Sequence, residues 1–313
     1  MTKSLNSTVS VAVGVVINSE QQIFITKRPD HVHQGGLWEF PGGKQELGES
    51  RVQALARELF EEIGVVVQQA QPLIQVVHDY GDKKVKLDVW QVTEFSGVAH
   101  GKEGQEGAWV PIARLADYAF PAADDVILTA IQLPDVYAIS GQNLSCIADQ
   151  VKSALLTGIR LFQLRVKGSF EQIQKVSELI IPLIHAETGK CLLSRNIEWV
   201  EPLGFDGVHL SSEQVTFLQE RPLAKGFLVA GSCHNQRELE CAQRLGVDFV
   251  VLSPVQKTAS HPGAEPMGWS QFAAFCETTV LPVYALGGLQ REDVDRVRDL
   301  GGRGVAAIRG AGF

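Results

Sequence analysis

Three glutamates, Glu58, Glu61 and Glu62, stand at positions i, i+3 and i+4 of a stretch rich in alanine, leucine, glutamate and arginine. On a helix this spacing places all three carboxylates on one face. Like charges repel on such a face, and Arg57 is the only nearby cation in the sequence. Oxygen ligands of this charge suit Mg²⁺, or Mn²⁺ in its place, and a bound metal can activate water. The spacing therefore favours a metal-dependent hydrolytic site over a solvated acidic surface.

The helix that must carry these glutamates has clear end signals. Ser50 is a good N-cap and Gly64 suits the position after the last turn, so a helix is predicted over residues 50–63. A glycine-rich loop precedes it. Strands are predicted at residues 9–17, 22–26, 73–77 and 85–93, and the polar turn after the first of them predicts a hairpin. The first half is therefore expected to be a mixed α+β domain.

After Pro134 the sequence repeats a unit of a short apolar strand, a polar turn and a helix. Eight such strands predict an α/β (β/α)8 TIM-type barrel. They are residues 136–139, 161–165, 191–194, 207–210, 228–232, 249–253, 283–286 and 305–308. Few residues follow the last strand, so the eighth outer helix is expected to be missing. Domains are expected at residues 1–133 and 134–313, with residues 120–135 as the junction.

The amino-acid composition and net charge limit the kinds of molecule that the protein is expected to bind. Hydrophobic residues make up 45% and charged residues 20% of the 313 residues, as in ordinary globular proteins. The net charge is −8, and the segment 1–133 holds 11 Lys and Arg against 17 Asp and Glu, which argues against binding nucleic acid polymers. The cysteines form no C-x-x-C pair, and the apolar run 9–17 is too short to span a bilayer. A cytoplasmic protein without a membrane partner is expected.

The glutamates belong to a longer motif. It consists of Gly43, five residues, Glu49, seven residues and then Arg57-Glu58-Leu59-Phe60-Glu61-Glu62-Ile63-Gly64-Val65. This motif resembles the Nudix box at all nine defined positions. The resemblance implies an α+β Nudix fold with a mixed sheet between helices, and attack of water on a phosphorus of a nucleoside diphosphate derivative. It also implies metal ligands Glu58, Glu61, Glu62 and the Gly42 carbonyl, Glu58 as general base, and ligand-orienting residues Arg57 and Glu49.

Further motifs lie outside the box, at Phe24 to Arg28, Trp38 to Lys44, Gly101 to Gln105 and Phe120 to Ala123. They resemble the MutT-type 8-oxo-dGTP diphosphatases. The resemblance implies hydrolysis of 8-oxo-dGTP to 8-oxo-dGMP and pyrophosphate, which clears a mutagenic nucleotide from the pool. It implies a further metal ligand, Glu103, and substrate-binding residues Arg28, His33, Glu39, Phe40, Pro41, Gly42 and Asp124.

Asp124 departs from the MutT pattern, which has asparagine at this position. An asparagine can donate to O6 of the purine and accept from N7–H, which exists only in the 8-oxo form. A carboxylate keeps the acceptor and loses the donor. We therefore expect discrimination against unmodified guanine to be retained, with base binding weaker by about 1 to 3 kcal/mol.

The second half carries motifs at strand ends, where barrel active sites are built. They are Gln163 to Lys167, Gly207 to Leu210, Gly231 to His234, Ser253-Pro254 with Thr258, and Leu286 to Gly288. These motifs resemble the thiamine phosphate synthase and TenI barrels. The resemblance implies that a phosphorylated thiamine-pathway ligand is bound by Gln163, Arg165, Lys167, Ser232, His234, Gly287 and Gly288.

The metal-binding positions of that barrel family are not kept. Its Asn-Asp pair after the third strand is Ser194-Arg195 here, its second aspartate is Gln214, and its Thr-x-Thr-Lys is residues 258–261 without the lysine. The barrel is therefore expected to be degenerate or altered in activity. Two alternatives stay open. One is a thiamine-metabolism enzyme whose first half cleaves a thiamine-related pyrophosphate and whose barrel acts as a synthase or, through His234, as a thiazole tautomerase. The other is a non-catalytic barrel that senses a ligand or binds a partner.

Overall fold

In the computed structural model, which describes residues 8–32, 34–79, 84–258, 263 and 265–308, the chain divides into two units between Gln132 and Leu133. The first unit contains strands β1 (Thr8–Val16), β2 (Gln22–Lys27), β3 (Trp38–Glu39), β4 (Gly42–Lys44), β5 (Val66–Asp79), β6 (Lys84–Ser96) and β7 (Gly107–Pro111), and helices α1 (Arg51–Ile63) and α2 (Asp125–Gln132). The strands form two sheets, in the orders β4-β1-β6-β5 and β3-β2-β7. The four-stranded sheet is mixed, because β1 runs parallel to β6 and antiparallel to β4.

Helix α1 has the predicted ends. The Ser50 side chain accepts a hydrogen bond from the backbone of Gln53, and Gly64 takes the left-handed conformation, with φ of 72°, after the last turn. The apolar face of α1 packs into one core with residues of both sheets, including Trp90 of β6 and Phe24 of β2. This packing turns the opposite face, which carries the glutamates, away from the core.

The prediction that β1 and β2 form a hairpin is wrong, and only the turn between them is confirmed. Asn18 does form that turn, and its side chain accepts hydrogen bonds from the backbone of Glu20 and Gln22. The two strands share only an isolated bridge between Ile17 and Ile23. Each then enters a different sheet, because β1 pairs with β6 along its whole length and β2 pairs with β7.

Two segments expected to be irregular are ordered by tertiary contacts. Part of the glycine-rich loop forms β4, which pairs with Val11 to Val13 of β1. Half of the expected junction is helix α2, which buries Ile127 and Ala130. Propensity alone could not indicate β4, because glycine disfavours strands unless a neighbouring backbone approaches closely.

The second unit is a closed barrel of eight parallel strands in sequence order, as predicted. Each strand end lies within one residue of its expected position. The strands are β8 (Val136–Ile139), β9 (Leu161–Leu164), β10 (Lys190–Ser194), β11 (Gly207–Leu210), β12 (Leu228–Cys233), β13 (Phe249–Leu252), β14 (Val283–Leu286) and β15 (Gly304–Ala307). The outer helices are α3 (Ile147–Leu156), α4 (Phe170–Ala186), α5 (Ser212–Phe217), α6 (Gln236–Leu245), α7 (Gly268–Cys276) and α8 (Val294–Asp299).

One described feature of the barrel differs from a regular repeat. After β10 a single 3₁₀ turn, Ile197–Trp199, stands where an outer helix is expected. The expectation of a missing last helix concerns residues 309–313, which lie outside the described residues.

In the described ranges no helix is both long and apolar enough to cross a membrane.

The start of the barrel is held by buried charges. Arg298 and Arg303, each with only 4% of its side chain exposed, donate hydrogen bonds to the same carboxylate oxygen of Asp135, at 2.6 and 2.7 Å. Arg303 also donates to the carbonyl of Leu133, and the Tyr284 hydroxyl donates to that of Pro134. These contacts fix the chain where it enters β8.

Candidate active site

The carboxylate of Glu62 is held between α1 and the neighbouring strands. Gly42 donates its backbone N–H to Oε2 at 2.7 Å, and the Thr26 hydroxyl donates to Oε1 at 3.3 Å. Gln105 Nε2 lies 3.4 Å from the same Oε1. Burial raises the pKa of Glu62 to about 7, and the nearby charge of Glu39 acts in the same direction. Among the described residues, the hydrogen-bond donors that orient this carboxylate are all neutral.

Arg57 joins the other two glutamates of the helix. Its Nη1 donates to Glu58 at 2.9 Å and to Glu61 at 3.0 Å. Its Nε and Nη2 donate to the two oxygens of Glu49 at 2.7 and 3.0 Å, and Nη2 also donates to the Lys44 carbonyl at 3.0 Å. The hydrogen bonds to Arg57 lower the pKa of Glu49 to about 2. One guanidinium therefore fixes three carboxylates and offsets part of their mutual repulsion.

Two consecutive glycines let backbone and carboxylates approach closely. A Cβ atom on Gly43 would lie 2.2 Å from Oε2 of Glu58, and one on Gly42 would lie 2.1 Å from the Ala12 carbonyl oxygen. Glu58 therefore adjoins Gly43 while Glu62 is bonded to Gly42. The carboxylates of Glu58 and Glu62 meet the same short strand, β4, at neighbouring residues.

The carboxylate oxygens of Glu58 and Glu62 are of the kind that hard divalent cations prefer. Within the described ranges no three His, Cys, Asp or Glu side chains are arranged to hold a metal ion. Glu58 and Glu61 are instead turned to Arg57, and Glu62 to Gly42. Mg²⁺ commonly takes one or two protein carboxylates and keeps several waters. Glu58 and Glu62, whose carboxylates both adjoin β4, are enough in number for such a site.

The loop that carries Glu103 is fastened to the end of α1. Lys102 donates its backbone N–H to the Glu62 carbonyl at 2.9 Å, and its Nζ donates to the Phe60 carbonyl at 2.8 Å. Glu103 itself is exposed, and the described residues include no partner for its carboxylate. The structure therefore joins this loop to α1 without recording a contact between Glu103 and the glutamates of α1. The sequence did not single out Lys102, Gln105 or Thr26 as positioning residues.

The implied nucleoside-binding residues form a second group. Arg28 makes an ion pair with Glu39, and Phe40 is buried and stacks on Phe120 with ring centroids 5.3 Å apart. Burial raises the pKa of Asp124 to about 7, where the Glu39 charge adds to the effect and Arg28 opposes it. Pro41 is buried, and His33 lies outside the described residues. At neutral pH the Asp124 carboxyl is therefore partly protonated, whereas the sequence led us to expect an ionised carboxylate.

In the barrel, His209 is a polar residue that the sequence interpretation did not assign to a site. Its side chain is in the barrel interior, 3% exposed, between the Tyr137 hydroxyl at 3.1 Å and the Ser232 hydroxyl at 2.8 Å. Burial, together with the charge of Arg165, lowers the pKa of His209 to about 3. His209 is therefore a neutral hydrogen-bonding group. Two signals in the sequence could have indicated it, namely its position in a predicted barrel strand and its place in the Gly207 to Leu210 motif.

The other implied barrel residues are divided between the mouth and its supporting loops. Gln163 is buried, Lys167 is exposed, and the exposed His234 donates its Nδ1–H to the Ser253 carbonyl at 2.7 Å. A Cβ atom on Gly287 would lie 2.9 Å from Pro254, and one on Gly288 would lie 2.6 Å from the Lys257 carbonyl. Glycine is thus required at both positions, because a side chain there would collide with the loop that contains Pro254 and Lys257.

Comparison with known proteins gives a match for each unit. Residues 12–130 match the NUDIX domain model and residues 136–311 match the thiamine monophosphate synthase model. The 8-oxo-dGTP diphosphatase of Escherichia coli strain K12 is 36% identical over 122 residues, which cover 39% of this chain and 95% of that protein. The putative thiamine-phosphate synthase 2 of Aquifex aeolicus strain VF5 is 29% identical over 184 residues, 57% of this chain and 97% of that protein. A solved MutT structure, from a study of the Aliivibrio salmonicida and Vibrio cholerae proteins, is 48% identical with a TM-score of 0.37, and the match covers 40% of this chain and 97% of that one.

Proposed function

Because the chain belongs to the Nudix hydrolases through its first unit and to the thiamine monophosphate synthase family through its second, we propose that the first unit hydrolyses 8-oxo-dGTP to 8-oxo-dGMP and pyrophosphate. One observation carries the proposal. Glu58 and Glu62 adjoin neighbouring glycines of β4, and Arg57 orients the rest of the acidic cluster. Removal of an oxidised nucleotide in this way would protect DNA replication from mispairing.

The chain's own groups divide the work of such a reaction. Glu58, Glu62 and the Gly42 carbonyl would hold Mg²⁺ or Mn²⁺, with Glu61 and Glu103 as further ligands. When bound, the cation supplies charge neutralisation at the phosphates and acidifies water. Glu58 is the proposed general base. Its Oε1 accepts from Arg57, while Oε2 lies beside Gly43 and accepts the proton of the attacking water.

The second group of residues would place the nucleotide. Phosphate would be bound by His33 and by Arg28, which forms an ion pair with Glu39. Phe40 and Pro41, both buried, would pack beside the nucleoside. Asp124 would read the base. In its protonated form the hydroxyl can donate to O6 while the carbonyl oxygen accepts from N7–H, so the carboxylic acid replaces both functions of an asparagine amide.

We do not assign magnesium-dependent synthase chemistry to the barrel. In the first seven barrel strands, the two residues that follow each strand include no aspartate or glutamate. A pyrophosphate leaving group would therefore lack a metal held by carboxylates. One observation favours a tautomerase alternative. Because Nδ1 of His234 carries the proton that is donated to the Ser253 carbonyl, the lone pair of the imidazole is on Nε2, at the end of β12.

A substrate screen tests the main proposal. The full chain, the Glu58→Gln variant and a Glu20→Gln control at an exposed turn would be incubated with 8-oxo-dGTP, dGTP, CTP and thiamine diphosphate in Mg²⁺. We expect the wild type and the control to release pyrophosphate fastest from 8-oxo-dGTP, and the Glu58→Gln variant to lose this activity. Turnover of thiamine diphosphate alone would support the thiamine alternative instead. An undiminished Glu58→Gln variant would exclude the proposed base.

A further inference from the structure

The end of α1 is capped by residues 100–105, here called the capping segment. The final carbonyl groups of a helix have no partner within the helix itself. In α1 the His100 N–H donates to the Ile63 carbonyl at 3.1 Å, and the Lys102 N–H donates to the Glu62 carbonyl at 2.9 Å. Because these bonds join the two backbones directly, the position of the capping segment follows that of the helix end.

The capping segment is a tight turn around Glu103. The backbone N–H of Gly104 donates to the Gly101 carbonyl at 3.3 Å. The two sides of the turn approach so closely that a Cβ atom on Gly101 would lie 1.9 Å from the Gln105 carbonyl oxygen. Glu103 is therefore exposed at the tip of a turn whose base is fixed at the end of α1.

The side-chain amide of Gln105 connects this turn to Glu62 by hydrogen bonds of opposite polarity. Its Oε1 accepts the backbone N–H of Glu103 at 2.9 Å. Its Nε2 donates to the Glu62 carbonyl at 3.3 Å and to Oε1 of the Glu62 carboxylate at 3.4 Å. One planar group thus lies between the backbone of one proposed metal ligand and the carboxylate of another.

The direction of the Gln105 amide is fixed by its partners. A backbone N–H can only donate, so the side of the amide that faces the Glu103 N–H must be the acceptor oxygen. The other side is then the NH₂ group, and it faces oxygens of Glu62, which accept. Reversing the amide would set a donor against a donor on one side and an acceptor against acceptors on the other. Each contact of Gln105 therefore favours the other.

Among the described donors to the Glu62 carboxylate, only Gln105 belongs to the capping segment. Gly42 lies in β4 and Thr26 lies in β2. Lys102 reaches backbone carbonyls of α1 and makes no described bond to the carboxylate. Loss of the Gln105 amide would therefore leave the capping segment attached to the helix backbone but would separate it from the Glu62 carboxylate.

We propose that Gln105 is a positioning residue that makes cation binding by Glu62 and Glu103 interdependent. The proposal rests on the proposed function of the first unit, in which both glutamates hold Mg²⁺ or Mn²⁺. A shift of the Glu103 backbone moves the Gln105 amide, and the amide in turn reorients the Glu62 carboxylate. Groups that orient a metal ligand commonly change metal affinity by about 10- to 100-fold.

Binding of Mn²⁺ to the full chain without nucleotide, measured by electron paramagnetic resonance of the free ion, tests the proposal independently of activity. Gln105→Met replaces the amide by a thioether that cannot donate, and it should weaken Mn²⁺ binding roughly tenfold. Glu103→Gln should weaken it as well. In the double variant the total loss should be smaller than the product of the two single losses by about threefold or more, because Glu103 is no longer positioned once the amide is gone.

Gln68→Met, at an exposed position of β5, is the matched control and should bind Mn²⁺ as the wild type does. Gln105→Ala should repeat the result of Gln105→Met and replaces it if the methionine variant fails to fold. Wild-type affinity in these Gln105 variants would overturn the proposal, and so would single losses that simply multiply in the double variant. Mn²⁺ binding that Glu58→Gln leaves unchanged would instead overturn the proposed metal site of the first unit, and this inference with it.

Discussion

The backbone N–H of Gly42 donates a 2.7 Å hydrogen bond to the carboxylate of Glu62, and this contact ties the last turn of α1 to strand β4. The two residues are separated by the whole of the helix in sequence. Their contact aims one carboxylate at the strand edge where Glu58 also lies. The geometry of the acidic cluster therefore depends on β4 as much as on the helix that carries the glutamates.

Thr26→Val should weaken metal binding while leaving the fold intact. Thr26 is fully buried, valine has nearly the same volume, and the change removes the hydroxyl that donates to Glu62. Loss of a group that orients a metal ligand commonly costs about 10- to 100-fold in metal affinity. The Mg²⁺ concentration that gives half-maximal activity measures the effect. Thr129→Val on α2 is the control, and an unchanged Mg²⁺ midpoint for Thr26→Val would contradict the proposed role of Glu62.

Gly43→Ala should lower kcat without unfolding the protein. The new methyl group would collide with the Glu58 carboxylate, 2.2 Å from Oε2, and displace the proposed base. Loss of a positioned general base costs roughly 10²- to 10⁴-fold in rate. Gly48→Ala is the comparison, because that position has open space around it but a strained φ of 90°. It should reduce thermal stability rather than kcat, and the reverse pattern would refute the assignment.

Asp124 predicts a pH-dependent affinity for the substrate. Its pKa is raised to about 7, so the carboxyl can donate a hydrogen bond below this pH and loses the donor above it. The KM for 8-oxo-dGTP should therefore rise roughly tenfold between about pH 6 and about pH 8.5. Asp124→Asn should remove most of this change. A wild-type KM that stays flat over the same range would show that Asp124 does not read the base through its proton.

The raised pKa of Asp124 also predicts how the stability of the first unit depends on pH. Because burial raises the folded-state pKa of Asp124 from 3.8 to about 7, its contribution to stability is fully present below about pH 4 and is lost as the pH rises through about 7. Asp124→Asn should therefore raise the melting temperature of the first unit at about pH 8 more than at about pH 4. The exposed neighbour Asp125 provides the control, since Asp125→Asn should not show this difference. Melting curves at the two pH values measure it.

Asp135→Asn should destabilise the barrel. Arg298 and Arg303 are almost fully buried and share the Asp135 carboxylate. Removing the shared charge leaves two buried guanidinium groups with weaker partners. Because Asp135 is itself 45% exposed, the expected loss is about 1–3 kcal/mol rather than the larger cost of a fully buried pair. Denaturant unfolding would measure it, and an unchanged midpoint would show that water compensates the arginines.

The sequence predicted those elements whose signals are local. Helix α1 has a capping residue at Ser50 and a left-handed glycine at Gly64, and both are visible in the sequence. The barrel strands are short apolar runs between polar turns, so their ends were located closely. The partners of β1 and β2 could not be found in this way. A turn at Asn18 is equally compatible with a hairpin and with two strands that separate into different sheets.

The candidate site was predictable to a similar depth. Helical spacing places Glu58, Glu61 and Glu62 together, but it does not show that Glu62 turns to Gly42 while Glu58 and Glu61 turn to Arg57. The protonation of Asp124 is set by burial, which comes from the packing of distant segments. Sequence spacing therefore named the candidate residues, and the tertiary structure shows their hydrogen-bond partners and the burial that sets their charge.

Arg195 has a left-handed backbone, with φ of 70°, so an arginine at position 195 carries a steric cost. Glycine would adopt this conformation without steric cost, so a lineage selected only for heat resistance should drift toward glycine there. The fold offsets this cost by two hydrogen bonds to the backbone of residue 195, one from its N–H to the His209 carbonyl and one from Gln214 Nε2 to its carbonyl.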